Sequence, residues 1–158
     1  MPTRRTLNMT ALDDAVTDAE RLHAGGYDPA GKWDLAQVCG HLTAWLTYPL
    51  DGYPPLPLFL KPIFLALKNT VAQGMLDKVI RTNEMPAGGS TAPQSIPAPG
   101  GDPAQAVEAY KTAVARWLSW NGTMHPSPLF DVQPKEKLTE LHRVHAAHHL
   151  SFLVPKHA

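Results

Sequence analysis

Four of the eight histidines in this 158-residue chain crowd into Leu138 to Leu153, LTELHRVHAAHHLSFL. Turned as an α-helix at about 100° per residue, the segment brings Leu138, Leu141, His145, His149 and Phe152 onto one core-facing stripe. His142 and His148 fall at its margins. Two histidines four residues apart lie one turn above each other on the same face, so both rings can reach a single metal ion. His145 and His149 alone combine that step with a central place on the apolar stripe. Two ligands from one helix hold a metal weakly, so at least one more must come from elsewhere.

His41 is the candidate. In WDLAQVCGHLTAW it falls with Val38, Leu42 and Trp45 on the apolar face of a second helical pattern. A lone inward histidine reads as a core residue bonded to a backbone carbonyl. Beside a second inward pair, it reads as the third ligand of a shared site. Three neutral imidazoles leave a divalent cation its full charge and at least one open position, which lowers the pKa of a bound water or thiol and polarises a substrate oxygen. Zinc, nickel and iron all accept such ligands. Because each ligand binds unprotonated, affinity is expected to weaken steeply in mild acid, at about pH 6.5 or below.

Catalysis also needs a proton acceptor near the metal. Glu140 turns to the side of the helix opposite His145, which leaves His148 as the candidate catalytic base; the alternative is a polar residue at the rim of a core. A ring at the margin of the stripe starts about 60° from its centre, so neither His142 nor His148 is expected to replace a missing ligand.

The elements that must position these residues are helical. Apolar periodicity predicts helices over 12–23, 34–48, 62–81, 103–119 and 134–153, with almost no alternating strand pattern. Asp34 followed by Gln37 reads as a capping box, and the second helix is expected to end before Pro49. Asp102-Pro103 opens the fourth helix. Between the third and fourth lies Met85 to Gly101, MPAGGSTAPQSIPAPGG, which cannot be regular structure. Such a connection is either a functional cover or a link, and as a cover it would lie across or beside the mouth of the histidine site.

Length fits one domain, 1–158, able to bury a core without disulfides. Fourteen basic residues balance fourteen acidic ones, which argues against a nucleic-acid or anionic-membrane partner and for a small-molecule one. Cys39, the single cysteine, reads as a packing residue compatible with a reducing compartment. The N-terminus lacks a secretory pattern, so a cytoplasmic protein is expected. YPPLPLFLKPIFLAL, Tyr53 to Leu67, is too short and too proline-broken to span a bilayer. It reads as a buried segment or, if exposed, a homodimer surface.

The pattern Trp33, Leu35, Gln37, Val38, His41, Leu42, joined to the late His145, His148 and His149, resembles the DinB/YfiT-like superfamily of metal-binding helical bundles. His125-Pro126 and the closing HHLSFLVP resemble a bacterial branch of unknown function. The resemblance implies a four-helix bundle in which His41, His145 and His149 hold a divalent metal, and an activity in which that metal activates a low-molecular-weight thiol. His148, His149, Leu150, Ser151 and Phe152 stand where many relatives have His-His-Arg-Gly-Gln, so a role for that arginine and glutamine does not carry over. Three classes remain open: a metal-dependent transferase or hydrolase, with or without a thiol, acting on a small electrophile; a non-catalytic metal- or ligand-binding stress protein; and a helical interaction protein whose histidines merely pack.

Overall fold

The computed structural model describes residues 2–88 and 93–156. Six α-helices, α1 (Asp13–Gly25), α2 (Leu35–Asp51), α3 (Lys61–Thr70), α4 (Ala72–Thr82), α5 (Pro103–Ser119) and α6 (Lys135–Leu150), make up an all-α fold. Its only sheet among the described residues is an antiparallel pair of three-residue strands, β1 (Tyr27–Pro29) and β2 (Leu153–Pro155).

The expected capping box opens α2: Asp34 Oδ1 accepts the Gln37 amide at 2.8 Å while Gln37 Oε1 accepts the Asp34 amide at 3.3 Å. Asp102 caps α5 in the same sense, accepting from the Ala104 amide at 2.8 Å. The apolar stripes that follow meet in one core. Leu22 of α1, Leu42 and Leu46 of α2, Tyr110 and Trp117 of α5, and Leu138 and Leu150 of α6 all belong to it. A smaller cluster, Ala72, Leu76 and Phe130, seats α4 on the other side of α6, with Leu141 packed against both clusters.

Three boundaries differ from the sequence expectation. Helix α2 continues through Pro49 to Asp51. Proline lacks an amide hydrogen, but in the last turn only one backbone bond is forgone, and burial of Pro49 and Leu50 holds the turn in place. The expected single helix over 62–81 is two, parted at Val71 with φ −112° and ψ −19°. Helix α3 buries no residue whereas α4 buries Ala72, Leu76 and Val79, so the chain bends where packing begins. Leu58, Phe59 and Ile63 are correspondingly exposed, which removes the buried reading of the Tyr53 to Leu67 segment. Finally, α6 stops at Leu150 because the next residues pair with β1, Tyr27 opposite Pro155 and Pro29 opposite Leu153. Among the described residues no helix is long and apolar enough to cross a membrane.

Candidate metal centre

Helices α2 and α6 bring His41, His145 and His149 to one point. A ligand nitrogen from each lies within 4.8 Å of the other two. His145 Nε2 stands 3.1 Å from His41 Nε2 and 2.9 Å from His149 Nε2. An ion with tetrahedral bonds of roughly 2.0–2.1 Å spaces its ligand nitrogens at about 3.3 Å, so the two close pairs need open by only a few tenths of an ångström, and the third pair lies within 4.8 Å. His41 is 1% exposed. Its Nδ1 stands 3.2 Å from the Ser95 carbonyl, and a hydrogen placed there to donate leaves Nε2 with its lone pair toward the other two rings. Burial keeps the trio neutral. It pushes His41 down to about 4, against a smaller upward pull from Ser95, and His149 to about 2, with His41 and His148 adding to the effect. Burial likewise holds His145 well below the ordinary imidazole range. Burial therefore moves proton competition in the folded protein to a lower pH than free imidazole would show.

The stripe bearing these histidines does not face the packed core. Ala146 and Leu150, further round the helix, do that together with Leu138 at the start of the stripe, while Leu141, His145, His149 and Phe152 line a cavity of about 660 Å³. This cavity lies between the two hydrophobic clusters, and α4 closes it with Met75, Leu76 and Val79. The long connection contributes as expected, through Met85, Pro86 and Gly88 in the wall and Ser95 behind His41. Residues 89–92 of it lie outside the described residues.

Aromatic rings and one cation flank the trio. Trp33 stacks on His149, rings 5.0 Å apart and 5° from parallel, and meets His41 edge-on at 5.1 Å. Trp45 meets the edges of His41 and His145. Tryptophan at −8 and +4 from an inward histidine was the available signal. Arg4 carried no signal. It crosses from the N-terminus to place its guanidinium 4.4 Å over Phe152 and to bond Ser151 Oγ.

His148, the expected base, lines the cavity with its Nδ1 between two competing partners, the Met85 carbonyl at 3.0 Å and Arg4 Nη2 at 3.1 Å. If Nδ1–H donates to Met85, Nε2 is left basic; if Nδ1 accepts from Arg4, the neutral ring carries its proton on Nε2. Burial and Arg4 both lower its pKa, so the ring stays neutral to a lower pH than an ordinary imidazole does. His142 stands apart from the ligand trio, as expected, but is no rim residue. It is 5% exposed, its ring meets the Trp117 ring edge-on at 4.6 Å, and its Nε2 is buried with no hydrogen-bond partner among the described residues. Burial pushes it down to about 3. Glu140 pairs with Arg143 rather than approaching the site, and Cys39 is fully buried with its thiol pushed up to about 12, a packing residue as expected.

A family model described as a protein of unknown function (DUF1569) matches residues 1–156. No curated protein and no solved structure matches the chain.

Proposed function

Because the chain belongs to the DUF1569 family, whose description assigns no activity, we propose its function from the site itself: a divalent-metal protein in which His41, His145 and His149 are the ligands and the cavity holds a small electrophilic substrate. The observation that carries this reading is the convergence of three neutral imidazole nitrogens from two helices at the wall of an open cavity. A bound ion supplies a Lewis acid with at least one open position. The chain's own residues do the rest. Trp33 and Trp45 fix the planes of the ligand rings, the Ser95 carbonyl favours the His41 tautomer that leaves Nε2 free, and the apolar wall limits water at the reacting centre. His148 holds or accepts a proton at Nε2 when its Nδ1–H is bound to Met85.

A metal-dependent transferase or hydrolase using a low-molecular-weight thiol is the activity that fits, and the DinB-like resemblance is consistent with the shared core of α1, α2, α5 and α6. A cytoplasmic setting, no nucleic-acid or membrane partner, and a homodimer formed through the exposed face of α3 belong to the same proposal. A non-catalytic metal- or ligand-binding protein is the second reading, favoured by the absence of any carboxylate base from the described cavity lining. Turnover of a small thiol with a reactive electrophile decides between them. The enzyme reading expects turnover that is lost on chelation and falls at least tenfold in His148→Gln at unchanged metal content; no turnover with any thiol and electrophile pair would leave the binding reading in its place.

A further inference from the structure

The cavity wall carries an imbalance of charge. Its described lining joins aromatic and aliphatic side chains, among them Trp33, Trp45, Leu76 and Phe130, to the histidines, and its one charged residue is Lys32. No aspartate or glutamate is among the described lining residues. Several acids of the surrounding segments are engaged elsewhere: Asp34 caps α2 and accepts the Gly100 amide, Asp77 pairs with Lys137, Asp131 with Lys68, and Glu140 with Arg143, while Glu84, beside the lining Met85, is exposed. A second cation stands directly behind the wall, since Arg4 lies over the ring of Phe152 and against His148, both of which line the cavity. Lys32 is exposed, so its ammonium stays solvated at the cavity's edge and its positive field is open to an incoming anion. Here the pocket offers cations and no counter-charge of its own.

We propose that the cavity binds a small organic anion with an apolar body, of the aryl- or alkyl-carboxylate kind. Its charge is met by Lys32, with Arg4 behind Phe152 adding a positive field without touching it, and its body lies against Trp33, Trp45, Leu76 and Phe130. A volume of about 660 Å³ is in the ordinary range for pockets that enclose such molecules. The proposal deepens the metal reading and rests on it for its full strength, because a dication held by three neutral ligands adds two further positive charges to a wall already cationic. The preference for anions should nevertheless survive, weakened, without the metal.

Three probes of one shape separate charge from shape: 4-phenylbutyrate, 4-phenylbutanol and 4-phenylbutylamine. Each is titrated calorimetrically at pH 7.5 into the full chain, once loaded with zinc and once stripped with chelator. The expected result is that the carboxylate binds at least tenfold more tightly than the alcohol in the loaded protein and at least threefold in the stripped protein, with the amine weakest in both. Lys32→Gln should narrow the stripped preference. Alcohol or amine binding as tightly as the carboxylate in the stripped protein, a carboxylate preference seen only with zinc, or no binding by any of the three would overturn the proposal. Failure of zinc itself to bind sinks the metal reading alone, and the order found in the stripped protein then decides this one.

Discussion

Substituting Gly40 by alanine sets two effects of known sign against each other. Glycine within a helix is less favourable than alanine by roughly 0.5–1 kcal/mol, so an exposed or loosely packed Gly40→Ala would stabilise α2. Here the new Cβ would lie 2.5 Å from Pro97 Cγ, closer than real side chains approach. The proline ring cannot swing aside. Its segment is held by Gln37 Nε2 donating to the Pro97 carbonyl at 3.1 Å and by the Asp34 bond to Gly100. Overpacking of this kind costs about 1–3 kcal/mol, which exceeds the helical gain, so net destabilisation of up to about 2 kcal/mol is expected. Movement of Pro97 also moves Ser95, which stands behind the His41 ring. Losing an outer partner of a metal-ligating imidazole lowers affinity about 10–100-fold, so zinc binding should weaken by tenfold or more. Urea unfolding and zinc titration of Gly40→Ala, and of Gly40→Ala with Pro97→Ala, measure both effects, and the second substitution should restore most of each. A Gly40→Ala protein that is about 1 kcal/mol more stable and binds zinc unchanged would refute the argument.

Other outcomes follow from burial. His142→Leu removes a buried nitrogen without a partner, a group that costs about 1–3 kcal/mol. Denaturant midpoints should therefore stay level or rise, and zinc content should not change; a loss beyond 1 kcal/mol would show that the nitrogen is satisfied. Metal-free protein should be steeply acid-sensitive. His41 and His142 have folded pKa values lowered to about 4 and about 3, so only the unfolded chain takes up their protons below about pH 6.5. Their stabilisation is complete above the unfolded value and is lost as pH falls toward the folded ones, at up to about 3 kcal/mol per pH unit for the two together, readable from urea midpoints between pH 7 and 4. Cys39, with its thiol pushed up to about 12, should resist a thiol reagent at pH 8 in the native protein and react at once in urea.

How far the sequence reaches is clearest at α2. Its capping box, inward His41 and neighbouring Trp45 all follow from local pattern, because a helix converts spacing directly into direction. The same rule selects His145 and His149. It fails to say what a stripe faces: the histidines of α6 line a cavity because α4 stands off from that face, a tertiary fact with no periodicity of its own. The break at Val71 is hidden for the same reason, since apolar residues recur on both sides of it while only α4 finds a surface to bury against. Arg4 and Ser95 reach the site across 144 and 54 residues of sequence, and no short-range signal marks either. Pro49 reads as a stop, yet a proline in the last turn costs one bond and the buried neighbours keep the helix going.

Zinc content and affinity of protein purified without a histidine tag test the central claim most directly. One ion per chain is expected, with each of His41→Ala, His145→Ala and His149→Ala losing most of it and His142→Leu losing none. A protein that takes up no zinc, nickel or iron, or a His41→Ala variant that keeps its full complement, would contradict the three-histidine site.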